Sequence, residues 1–173
     1  MAHSYEENRM PIVRVIKGLN PQTIIDVGMG AGDYGTLIRE AMPKVKLIGT
    51  DIWDGNKTDQ WGNYNEIIIE DMRTLELPEA DIVLFIDSLE HISKEDGWEV
   101  LRRTKQDVLL SLPVGYHQPD ELAPYDKHLA EWTIEDFKGM EYDDYSNERS
   151  VIIILRKENH AKNFNSNTSV GNV

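Results

Sequence analysis

Glycines and carboxylates are placed together here in a way that could do chemistry. The run Asp26-Val27-Gly28-Met29-Gly30-Ala31-Gly32 carries three alternating glycines after an acid. Such spacing lets a backbone turn sharply and approach a ligand closely. Asp51 ends the next β-branched run, where a carboxylate can accept hydrogen bonds from both hydroxyls of a ribose. Gly30-Ala31-Gly32-Asp33-Tyr34-Gly35 also satisfies G-x-G-x-x-G, the spacing of a pyrophosphate-binding turn. In that reading Asp33 puts a carboxylate in the first helical turn beside the phosphates, and Asp26 adds another just upstream. Both repel an anion. A ligand with positive charge and no phosphate suits these acids better.

Strands and helices must hold these residues in place, and the apolar pattern supplies them. TIIDVG (23–28), VKLIGTDI (45–52), EIIIED (66–71), DIVLFID (81–87) and DVLLSLP (107–113) read as strands. EYDDY (141–145) and RSVIIILRK (149–157) read as a closing hairpin. Helices are predicted over 11–19, with Pro11 in the first turn, and over 34–42, stopped by Pro43. A third is predicted from the Ser93-x-x-Asp96 cap to about Lys105, and a short one after Thr133-x-x-Asp136. The polar stretch 53–65 reads as a loop or a poor helix. Residues 1–10 read as a frayed lead-in. The tail 158–173 holds five asparagines and is expected to be disordered, leaving one domain over 1–157. Alternating strands and helices predict an α/β fold, a parallel sheet covered on both faces, with the last strand antiparallel.

Composition narrows the function classes. The chain of 173 residues has no cysteine, which excludes disulfides, thiol nucleophiles and iron–sulfur ligation. Its 18 basic and 31 acidic residues give a net charge of −13, a field that repels a phosphate backbone, so no nucleic-acid partner is expected. No apolar run approaches the ~20 residues of a membrane helix. The polar, acidic start MAHSYEENRM is unlike a targeting peptide. A cytoplasmic location and no membrane partner are expected.

The ordered motifs resemble those of class I S-adenosylmethionine-dependent methyltransferases, of a small bacterial or phage type. Asp26 to Gly32 is similar to the family's first motif, and Gly49-Thr50-Asp51 to its ribose-binding acid. Glu70-Asp71-Met72 resembles the residues that hold the adenine. Asp81 to His91 resembles the fourth strand with its D-x-L-E-H turn, and Ser111-Leu112-Pro113 the end of strand five. The resemblance implies a Rossmann-like seven-stranded sheet of order 3-2-1-4-5-7-6 with strand seven antiparallel. It implies S-adenosylmethionine as cofactor and Asp26, Gly28, Gly30, Gly32, Asp51, Asp71 and Met72 at its site. Ile52 reads either as packing on the adenine or as core. Asp87 and Ser88 leave the strand that flanks the glycine motif, at the crevice where ligands bind in such sheets. The substrate-recognition parts are minimal, with a short N-terminal lead and a modest stretch at 114–132.

The acceptor chemistry is then methyl transfer to an oxygen or nitrogen of a small-molecule or sugar-like acceptor. His128-Leu129-Ala130-Glu131-Trp132-Thr133 is similar to an H-x-x-E-W-T segment of small bacterial methyltransferases. His128, with an ordinary pKa near 6.5, is the expected base, with Glu131 or Asp87 orienting it. His91 is a second candidate, and also reads as a helix-start residue packed on the strand ends. His128 and Trp132 equally read as anchors of the loop. Asp87, His91, His117, Asp120 and His128 show no zinc-helix spacing, so no metal is expected. A non-catalytic cofactor-binding module and a nicotinamide-dependent oxidoreductase are the competing readings, the latter disfavoured by Asp26 and Asp33.

Overall fold

In a computed structural model, seven strands form one sheet of order β3-β2-β1-β4-β5-β7-β6. The strands are β1 (Thr23–Val27), β2 (Lys46–Asp51), β3 (Glu66–Ile69), β4 (Ile82–Ile86), β5 (Asp107–Pro113), β6 (Tyr142–Asp144) and β7 (Ser150–Leu155). The structure describes residues 5–115 and 125–156. The expected tail at 158–173, His117 and Asp120 lie outside the described residues. Pairing is parallel from β3 through β5, and β7 runs antiparallel to both β5 and β6. This is the Rossmann-like sheet the motifs predicted.

Alternation along the strands builds two cores. Ile25, Val83, Phe85, Val108, Leu110 and Ile153 point to one face, where α3 (Lys94–Arg103), Trp132 and Phe137 cover them. Ile24, Leu47, Ile82, Leu84, Leu109 and Ile152 point to the other, under α1 (Glu6–Leu19) and α2 (Asp33–Ala41). A strand buried on both faces has no room for a polar alternation, hence the near-continuous apolar runs.

The first helix starts earlier than expected. Glu6 and Glu7 occupy its first turn, where carboxylates interact favourably with the positive end of the helix dipole. Pro11 therefore lies inside the helix and leaves the Glu7 carbonyl without its usual amide. The helix ends at Asn20, which adopts a left-handed cap at φ 52°. Buried Asn8 ties this helix to the last strand pair. Its amide nitrogen donates to Ser150 Oγ at 2.8 Å, and its Oδ1 accepts from Asn147 at 2.7 Å. Ser93 caps α3 by accepting from the Asp96 amide at 3.1 Å. Thr133 and Asp136 form a capping box on a 3-10 turn, Ile134–Phe137, shorter than an α-helix. The polar stretch 53–65 contains two 3-10 turns, Asp54–Asn56 and Asp59–Asn63. Among the described residues, no helix is long and apolar enough to cross a membrane.

Candidate functional site

A crevice of about 280 Å³ opens at the carboxyl ends of β1, β2 and β4. The sheet order changes direction between β1 and β4, and open α/β sheets bind ligands at such a switch. The glycine turn forms its floor. Gly28 and Met29 donate their amides to the Thr50 carbonyl at 2.8 and 2.9 Å, stitching the turn to β2. Gly28 sits at φ 75°, and a Cβ there would lie 2.5 Å from Ser88 Cβ. Only glycine allows β1 and β4 to exit this close together. The stretch 53–65 clasps the turn from outside. Trp61 Nε1 donates to the Gly30 carbonyl at 2.8 Å, and Thr58 Oγ1 to the Ala31 carbonyl at 2.6 Å.

Asp26, Asp33, Asp51, Glu70, Asp71, Asp87 and Asp126 line the crevice, against one guanidinium among the described residues, that of Arg73. Asp51 accepts from the Gly30 amide at 2.9 Å and the Trp53 amide at 2.9 Å. Burial still raises its pKa, the amide bonds opposing the shift. Asp26 is buried and accepts from the Tyr64 hydroxyl at 2.6 Å. Desolvation pushes it up to about 6, the tyrosine bond opposing and the charge of Asp51 adding. Asp71 is held by Arg73, whose Nε donates to both carboxylate oxygens at 2.9–3.0 Å, and its pKa is lowered chiefly by that side chain. Asp33 pairs with Arg9 of α1 at 2.8 Å.

Asp26, Gly28, Gly30, Asp51, Ile52, Asp71, Met72, Asp87 and Ser88 all line the crevice. Gly32 does not line it; at φ 91° it is the left-handed residue that opens α2. Ile52 is 39% exposed, so it forms a wall and is not core. Asp87 adopts φ 48°, a left-handed conformation that aspartate tolerates better than most residues. Sequence reasoning missed Tyr34, Arg73, Tyr125 and Leu129. The last two stand 48% and 59% exposed on the rim. Exposed aromatic and aliphatic residues far apart in sequence gave no signal for this.

The three residues expected to act on the acceptor separate. His91 lines the crevice. His128 stands behind it, edge-on, with ring centroids 4.9 Å apart. Burial, then the neighbouring His91, pushes the His128 pKa down to about 4, so it is a weaker proton acceptor than an imidazole of ordinary pKa. Glu131 is exposed and is not part of the crevice lining; its backbone carbonyl accepts from Lys94 Nζ at 2.9 Å. Trp132 is an anchor, 1% exposed and stacked on Phe137.

No protein-family profile matches the sequence, and no curated protein does. Solved structures are similar in fold. An O-methyltransferase family protein from Burkholderia thailandensis is 18% identical, with a TM-score of 0.57 over 86% of this chain. The match spans 56% of that protein's length. The N-terminal domain of EvdMO1, solved in the presence of SAH (S-adenosylhomocysteine) and D-fucose, is 18% identical with a TM-score of 0.61, covering 88% of this chain and 84% of that one. The methyltransferase domain of bacterial CtHen1-CN is 14% identical with a TM-score of 0.64, covering 87% of this chain and 98% of that one. Sheet order, crevice position and these likenesses agree: the chain has the Rossmann-like fold of class I methyltransferases.

Proposed function

We propose that this chain is a methyltransferase that uses S-adenosylmethionine to methylate an oxygen or nitrogen of a small-molecule, sugar-like acceptor. One observation carries the reading. The crevice beside the glycine turn is lined by carboxylates, which disfavour a phosphate, and Asp51 stands at the end of β2, a position suited to a ribose. The buried Ser88 Oγ in the crevice wall has no hydrogen-bond partner among the described residues, as expected of a group reserved for a ligand. The residues fit the cofactor: Asp51 for the ribose hydroxyls, Ile52, Asp71 and Met72 for the adenine, Asp26 and Asp87 for the positive end.

When bound, S-adenosylmethionine supplies a methyl group on a sulfonium, already a good leaving group. The protein's contribution is alignment and exclusion of water. The glycine turn, pinned to Thr50 and clasped by Trp61 and Thr58, provides a rigid floor. His91 faces the acceptor side from the β4 exit. The presence of D-fucose with EvdMO1 supports a sugar-like acceptor here.

Calorimetry with S-adenosylmethionine, S-adenosylhomocysteine and NAD tests the reading on one protein preparation. The two adenosyl ligands are expected to bind and NAD is not. Tight NAD binding would favour an oxidoreductase. Binding of the adenosyl ligands with no turnover on a panel of sugars and phenols would favour the cofactor-binding module.

A further inference from the structure

The reading above leaves a second cluster unused, on the β4 side of the crevice. After β4 the chain makes a 3-10 turn, Leu89–His91. Glu90 in that turn is 2% exposed, and neither carboxylate oxygen receives a hydrogen bond from another described residue. A buried carboxylate without donors is costly. Burial, followed by the charge of Asp87, raises its pKa well above the ordinary range. His128 faces it, with Nε2 3.9 Å from Oε1. The His91 ring meets His128 at an interplanar angle of 86°.

The backbone holds these side chains together. The amides of Leu129 and Ala130 donate to the Glu90 carbonyl at 2.8 and 3.1 Å. His91 Nδ1 lies 3.3 Å from the Lys127 carbonyl. A carbonyl only accepts, so Nδ1 carries the hydrogen in this contact. A metal-ligating histidine is commonly oriented in this way, through its other ring nitrogen.

We propose that Glu90, His91 and His128 form a binding site for a divalent transition-metal cation beside the crevice. One donor atom from each lies within 4.8 Å of the other two. Metal–ligand bonds of about 2.0–2.2 Å set ligands roughly 3.3–3.6 Å apart around a tetrahedral ion, so rotamer adjustments close the three onto it. Two imidazoles and a carboxylate are a mixed donor set suited to zinc, manganese, iron or cobalt, and leave coordination positions open. A cation there replaces the missing donors of Glu90. The sequence hid the site because His128 reaches Glu90 only when the chain after β5 folds back across the β4 exit.

His91 and Asp87 line the crevice, so a ligand held there has access to the ion. If the chain is a methyltransferase as proposed above, an acceptor hydroxyl on the cation gives up its proton to water more readily. Its oxygen then bonds to the methyl carbon while the carbon–sulfur bond breaks and the electron pair leaves with sulfur. A metal-held oxygen removes the need for a histidine base.

The test is calorimetry of the full chain, stripped with a chelator and titrated with manganese, cobalt and zinc chlorides. One cation per chain is expected. His128→Ala and Glu90→Gln should each weaken binding about 10–100-fold, the range for perturbed metal sites, while Glu131→Ala leaves it unchanged. Circular dichroism checks each fold, and His128→Ala decides the matter alone if Glu90→Gln does not fold. No binding by the wild type, or equal binding by His128→Ala, overturns the site. Titration of the stripped wild type with S-adenosylhomocysteine separates the two proposals. Cation binding without it sinks the methyltransferase reading and leaves the site, and the converse sinks the site alone.

Discussion

On the β1–β2 side of the crevice, carboxylates are answered by the protein's own donors. Asp51 takes the amides of Gly30 and Trp53, Asp26 the Tyr64 hydroxyl, and Asp71 the Arg73 side chain. On the β4 side, Glu90 is as buried as Asp26 but has no donor of this kind among the described residues. The contrast separates two ways of handling charge. The first side is preorganised, its negative potential fixed by bonds that need no ligand. The second holds a buried carboxyl group facing the His128 ring at 3.9 Å, an arrangement that a cation completes.

The sharpest way to break the first side is Gly28→Ala. The new Cβ would strike Ser88 at 2.5 Å on a backbone at φ 75°. Strain and overpacking together should cost about 2–5 kcal/mol, lowering the melting temperature by roughly 5–15 °C. Thermal unfolding measures the loss, and binding of S-adenosylhomocysteine should vanish with it. Next in size is the pH response of Asp26, whose folded pKa of about 6 lies above its ordinary 3.8. A raised carboxyl pKa stabilises the fold fully below the unfolded value and loses that contribution as pH rises through the folded one. Denaturant unfolding from pH 4 to 7 should show a decline of roughly 2.5 kcal/mol from this group. Asp26→Asn should flatten that part, since its amide oxygen can still accept from Tyr64.

Asp51→Ala tests the ribose assignment with the fold intact. It should cost about 1.5–3 kcal/mol of S-adenosylhomocysteine affinity, the range for hydrogen bonds to a charged group. An unchanged dissociation constant would falsify the assignment. The smallest effect belongs to Glu131→Ala. Its side chain is exposed and its carbonyl bond to Lys94 survives the change, so stability should shift by less than about 0.5 kcal/mol.

These differences follow what was legible in the chain. The parallel sheet was legible because β1, β4 and β5 are apolar almost throughout, as central strands are, while the strand order came from the resemblance of the glycine turn, Asp51 and the later motifs to the methyltransferase family. The start of α1 was not. Pro11 is a strong helix-opening signal, and the two glutamates before it carry a weaker one that decides the matter. The stretch 53–65 read as a loop because two short 3-10 turns leave no period, yet Trp61 is 4% exposed and holds the glycine turn. His128 was picked out, but its partner was not. A buried carboxylate looks like any other glutamate in a sequence, and only long-range folding brings His128 to Glu90.

The bridge between Asn8 and the hairpin carries a consequence for the order of events during synthesis. Asn8 and Ser150 are 142 positions apart. At about 5–20 residues per second, roughly 7–28 s pass between their appearances on a ribosome. The first helix is therefore made early but keeps its buried amide without a partner until β7 emerges. Until then, docking α1 would strand that amide away from water, a cost that favours leaving the helix undocked. The amide of Asn8 thus acts as a timer, coupling the seating of the earliest helix to the arrival of β7.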